Sequence, residues 1–170
     1  MDVESIFFFL TAGVAAASAI LTVTRQNPVQ SVLFLILNFF CLALLYLTLH
    51  AEFLAIIQIL VYAGAIMVLF LFVIMLLNLA DADSLRERSG PMRFVGVTLA
   101  LVVLGQIGFL LTSGDRQPGN PLPEGFGSPE KFGGTLFRDF LVPFEMTSIL
   151  LLAALVGVII LAKKHPADTP

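Results

Sequence analysis

Long apolar runs, interrupted by short polar breaks, occupy most of the 170 residues of the chain. Each run is near the roughly 20 residues that cross about 30 Å of hydrocarbon. No strand-like alternation competes with them, and in lipid only helices or closed barrels satisfy the backbone, so the runs are read as helices. Five spans are predicted, over about residues 4–23, 28–49, 53–79, 93–112 and 139–162. The first ends at Thr24-Arg25-Gln26-Asn27-Pro28, where the proline can open the next helix in its first turn. Gly90-Pro91 breaks the chain before the fourth span, and Lys163 and Lys164 close the fifth. Between the last two spans, the stretch Ser113 to Gly134 holds four prolines and six glycines. Such a stretch has too little apolar surface to fold alone. A flexible outer loop over about residues 113–135 is the expectation, unless a neighbouring subunit orders it.

Composition agrees with this pattern. The chain is 58% hydrophobic and 12% charged, where a soluble domain carries about 25% charged residues. A single all-α integral membrane domain spanning residues 1–170 follows. A net charge of −3 gives no reason to expect nucleic acid as a partner. Cys41 is the one cysteine, so an internal disulfide is excluded, and its place in an apolar run marks it as a small buried hydrophobe. Ala17-Ser18-Ala19 resembles a signal-peptide cleavage site, but Asp2 and Glu4 stand where a basic region belongs, so the first span is expected to be retained.

Basic residues set the expected orientation. With five spans, Arg25, Arg86, Arg88, Arg93, Lys163 and Lys164 fall on one side, and Arg116, Lys131 and Arg138 on the other. Six against three puts the N-terminus outside and the C-terminus on the cytoplasmic or matrix side. No Lys, Arg or His pair lies at membrane depth; His50 and His165 sit at an edge and in the tail. The acidic residues nearest to membrane depth, Glu52 and Glu145, each stand at the start of a span. A transporter working alone normally has ionisable groups near the midplane, so this pattern favours one component of a larger assembly.

The third span carries polar and small residues that a lipid anchor does not need. Gln58 and Tyr62 are four residues apart on one helical face, and Ala65 lies close to the same face. The small cluster Ala63-Gly64-Ala65 would let another helix approach closely. Glycine also eases a departure from α geometry, and a π-bulge is one such departure. Periodicity by itself leaves two readings open: helix packing, or a functional irregular turn.

The run VYAGAIMVLFLFVIMLLNL, residues 61–79, resembles the third membrane helix of the subunit J family of proton-pumping NADH:quinone oxidoreductase, respiratory complex I. NPVQSVLFLILNF, residues 27–39, resembles that family's second helix, and GTLFRDFLVPFEMTSILLLAALVGVIILA, residues 134–162, its fifth helix and the lead into it. Spans one and four match in hydropathy alone. The resemblance implies a subunit without catalytic residues, metal or cofactor of its own, inside a complex that uses NADH, FMN, iron–sulfur clusters and quinone. It implies other membrane subunits as partners, the small subunit K and the quinone-site subunit above all, within the lipid of a bacterial inner membrane.

The resemblance also implies a mechanism. The third helix would carry a π-bulge at Tyr62, Ala63, Gly64 and Ala65. Its loss or formation would rotate the C-terminal half of the helix, swinging Met67, Val68, Phe70 and Phe72 into or out of a water path. One extra residue in a turn rotates the downstream turns by about 100°. Gln58, Glu52 and Glu145 are candidate polar contacts of that path. Some family members have a glutamate where Gln58 stands, and an amide cannot carry a proton at neutral pH. Glu52 lies about 240° round a helix from Gln58 and does not replace it. Glu145 falls at the family's PFE position, where a carboxylate is also favoured by a helix start. The alternatives are a structural scaffold subunit and the corresponding subunit of a related hydrogenase or cation/proton antiporter complex.

Overall fold

A computed structural model describes residues 2–77, 91–113 and 125–163, with the side chains of residues 91–93 and 111 left aside. Among these residues the secondary structure is entirely helical. Four helices are long and apolar enough to cross a membrane: α1 (Val3–Thr24), α2 (Pro28–Thr48), α3 (Glu52–Leu76) and α6 (Leu141–Ala162). A further apolar helix, α4, runs from Pro91–Ser113, and a short one, α5, from Pro129–Asp139. The end of the expected third span, Asn78 and Leu79, lies outside the described residues. So do Arg86, Arg88, Arg116, Lys164 and His165, and residues 114–124 of the expected loop.

The α1–α2 turn is built by local chemistry. The Asn27 side-chain oxygen accepts from the backbone N–H groups of Val29 at 3.0 Å and Gln30 at 3.4 Å. Pro28 occupies the first helical position, where no N–H is needed. Ser31 Oγ donates to the Arg25 carbonyl, and the Arg25 guanidinium lies 5.7 Å from the centre of the Phe34 ring.

α1 turns a stripe of small and polar residues inward: Thr11, Ala15 and Ser18 are buried. Asn38 of α2 donates through Nδ2 to the Ala15 carbonyl at 2.7 Å and to Ser18 Oγ at 3.2 Å. Ser18 Oγ in turn donates to the Ala15 carbonyl. Small residues let the two helices close up, and the amide joins them by interhelical hydrogen bonds. Val32, Cys41 and Ala43 are the buried apolar residues of α2.

The end of the stretch expected as a flexible loop begins α5, which runs on to Asp139. Ser128 Oγ accepts from the Lys131 N–H, and Pro129 opens the helix. That cap, with Phe132 and Phe137 on helical turns, is local information that the proline and glycine content of the stretch masks. The last span accordingly begins at Leu141 after a break at Phe140, two residues later than the expected start at Asp139. The described side chains of α4 are all exposed, and so are those of α6 apart from Gly157. A helix apolar on every side needs lipid or other protein around it.

Candidate functional site

α3 is not α-helical throughout. Residues Gln58–Ile66 are π-helical, between α-helical turns at Glu52–Ile57 and Met67–Leu76. At the exit of the π segment, the Met67 N–H donates to the Tyr62 carbonyl, five residues back.

The burial pattern shows what the extra winding does. The buried residues of α3 are Ala55, Gln58, Ala63 and Met67, so the buried stripe advances by three, five and four residues. An α-helix continuing from Gln58 would advance by three or four and bring Tyr62 and Ile66 to that face. The π segment places Ala63 and Met67 there instead, and Tyr62 is turned out, 45% exposed. Its ring still meets Phe39 of α2 edge-on, with centroids 5.8 Å apart. Below Met67 the same offset continues: Leu71 and Ile74 are half-buried, while Phe70 and Val73 are exposed.

Gly64 sits at the tightest point of this winding. A Cβ there would stand 3.2 Å from the Ile59 carbonyl oxygen, the acceptor that π geometry pairs with the Gly64 N–H. The glycine therefore removes a side chain where the wider turn brings the helix backbone close to itself.

Gln58, Ala63 and Met67 thus share the covered face, whereas Tyr62, Gly64, Ala65, Val68, Phe70 and Phe72 lie on exposed faces. Glu52, in the first turn of α3, and Glu145, on α6, do not join them, and both are exposed. Gln58 is 7% exposed, and no described residue hydrogen-bonds its amide. Tyr62 and Gln58 share no hydrogen bond, and the wider π winding turns Tyr62 off the covered face that Gln58 occupies. Gln58 is largely covered, but its unbonded amide atoms reach the surface, where they can bind water or a polar group of another chain. Among the described residues, no three His, Cys, Asp or Glu side chains come together to hold a metal ion.

Sequence reasoning passed over Asn38 and Ser18, which join α1 to α2, and Phe39, which joins α2 to this helix. The signal was present, since Thr11, Ala15, Ser18 and Thr22 keep a helical spacing of four, three and four.

Apolar helices packed in the order α1, α2 and a π-wound α3, with α4 and α6 bare to their surroundings, have the build of a multi-pass membrane protein. The chain belongs to the family described as NADH-ubiquinone/plastoquinone oxidoreductase chain 6, whose model matches residues 18–161. It is 37% identical over 174 aligned positions to the NADH-quinone oxidoreductase subunit J of Rhodobacter capsulatus, covering 99% of this chain and 86% of that one. It is 44% identical to the chloroplastic NAD(P)H-quinone oxidoreductase subunit 6 of Nephroselmis olivacea, over 76% of this chain and 75% of that one. It is 38% identical to the F(420)H(2) dehydrogenase subunit J of Methanosarcina mazei, over 94% and 91% of the respective chains.

Proposed function

We propose that this chain is a non-catalytic membrane subunit of a proton-translocating NADH:quinone oxidoreductase, and that its third helix couples quinone reduction to proton movement. The observation that carries this reading is the π winding at Gln58–Ile66, inside a helix whose buried stripe is displaced by one residue. A single change of winding, with the start of α3 held, would exchange Ala63, Met67, Leu71 and Ile74 for Tyr62, Ile66, Phe70 and Val73 on the inner face. The exchange puts an aromatic hydroxyl at the level of an alanine and a phenylalanine at the level of a leucine. Such a swap can admit or expel a file of water without moving any charge in this chain. Gln58 then serves as a fixed hydrogen-bonding post for that water, and Glu52 and Glu145 as polar groups at the entrances.

NADH, FMN, iron–sulfur clusters and quinone would belong to other subunits. The neighbours of this chain would be the small subunit K, whose buried carboxylates the water file would reach, and the quinone-site subunit. The bare faces of α4 and α6 support such neighbours, since a helix exposed on every side has room for both lipid and protein. We place the chain in a bacterial inner membrane as five spans, with the N-terminus outside; the six-to-three asymmetry of basic residues supports this. A scaffold subunit would need no π segment. The relatives include an F(420)H(2) dehydrogenase subunit, so the same membrane part can serve another electron donor.

The first test is of orientation and company together. In a Cys41→Ser background, a cysteine replacing Ser89 is expected to resist an impermeant maleimide from the outer face, and one replacing Glu130 to react. The tagged chain, taken from membranes in mild detergent, is expected to bring down an NADH-oxidising, quinone-reducing complex. Labelling of the Ser89 position from outside would overturn the orientation, and recovery of the chain without redox subunits would overturn the assignment to this complex.

A further inference from the structure

The N-terminus of α3 has no side-chain cap, since Ala51 precedes it. Its second residue, Phe53, instead donates its N–H to the carbonyl of Gly127 at 3.0 Å. A helix leaves its first N–H groups without intrahelical partners, so a carbonyl from a distant loop here does the work of a cap. The approach is close. His50 takes a left-handed conformation at φ 56°, and Gly127 faces it at φ +80°. A Cβ on Gly127 would overlap the His50 carbonyl oxygen, so only glycine fits. Five residues on, the Phe132 ring stacks on Phe53, with centroids 4.1 Å apart and planes 26° from parallel. At the far end of α5, Phe137 meets Phe144 of α6 edge-on at 5.1 Å. Beneath this contact, the Ala51 N–H donates to the Tyr46 carbonyl, which ties the turn to α2.

We propose that Gly127 and Phe132 are positioning residues: with α5 they form a brace that holds the start of α3 beside α2 and links it, through Phe137, to α6. The inference rests on the coupling role proposed for α3. A change of winding at Gln58–Ile66 turns one half of the helix relative to the other. The brace fixes the entry half, so the rotation is delivered to Met67–Leu76. Without it, the short entry turns Glu52–Ile57 would rotate instead, and the inner face beyond the π segment would stay as it was.

The brace can be tested in the assembled complex, reconstituted in vesicles, in the Cys41→Ser background. Spin labels on cysteines replacing Leu54 and Glu130, both exposed, report the separation of α3 from α5. A single narrow distance is expected. Phe132→Ala should broaden it and lower protons translocated per NADH oxidised by about threefold, the effect of a modest shift in a two-state population. Phe132→Tyr keeps the stacked ring and should restore both. A broad distance in the otherwise unaltered complex would overturn the proposal. So would an unchanged proton yield in Phe132→Ala when the distance has broadened. Gly64→Ala in the same vesicles separates the causes. If it lowers the proton yield while Phe132→Ala does not, the brace fails and the coupling role of α3 stands. If neither changes the yield, the coupling role fails and the brace with it.

Discussion

Gly64→Ala should leave the complex assembled and oxidising NADH, yet lower the protons moved per NADH oxidised several-fold. The alanine methyl would lie 3.2 Å from the Ile59 carbonyl oxygen in the π form. In an α turn the Gly64 N–H pairs one residue later, with Leu60, and the methyl has the ordinary space of a helical alanine. The substitution therefore penalises one winding and not the other. Crowding of this kind costs about 1 kcal/mol, and about 1.4 kcal/mol shifts a two-state ratio tenfold. Gly64→Val adds a β-branched side chain at the same point and should reduce assembly as well, because Gly64 adjoins the buried Ala63. Proton uptake by vesicles, normalised to assembled complex on native gels, distinguishes the two effects. A wild-type proton yield in Gly64→Ala would mean that the π winding is a packing detail.

Ala43→Leu is expected to damage assembly most severely among substitutions on α2. Ala43 is 0% exposed. It lies level with Gln58 in the antiparallel pair, since Ala43 is one turn beyond Phe39 as Gln58 is one turn before Tyr62, and those two rings touch. A leucine would push α2 away from its neighbours. Overpacking a buried interface costs about 1–3 kcal/mol. Assembled complex on native gels should fall well below the wild-type amount, with the surviving fraction pumping normally. Undiminished assembly would show that α2 and α3 are not closely packed at this level.

The two predictions draw on different layers of information. The helices were legible from hydropathy, because lipid leaves the backbone no other solution and the apolar runs have the required length. Gly64 between two alanines was legible as a place where the helix could deviate. The direction of the deviation was not legible, because periodicity in an almost uniformly apolar run is weak: whether Tyr62 or Ala63 faces α2 depends on one residue of winding. The polar clamp of Asn38, Ala15 and Ser18 was spelled out by spacing on α1 and passed over because single small polar residues are common in membrane helices. α5 was hidden by its own prolines and glycines. Gly127 serves a close approach to His50 that no local pattern announces, since the partner lies in a distant turn. Glu52 and Glu145 stand out by charge, but charge alone does not say which helix face they share.

The central claim is that α3 changes its winding during turnover, and cross-linking between α2 and α3 tests it most directly. Leu35 lies one turn from Phe39 on α2, toward the turns that meet Ile66 and Met67. In the Cys41→Ser background, a cysteine at Leu35 is paired with one at Met67 or with one at Ile66, and the assembled complex is treated with a short bifunctional thiol reagent at rest and during NADH oxidation. The observed π winding places Met67 inward and Ile66 outward. If that winding is the resting form, the Leu35–Met67 pair should cross-link at rest, and turnover should move the yield toward the Leu35–Ile66 pair. Cross-links confined to the Met67 pair under both conditions, in a complex that pumps protons at the wild-type rate after cross-linking, would contradict it.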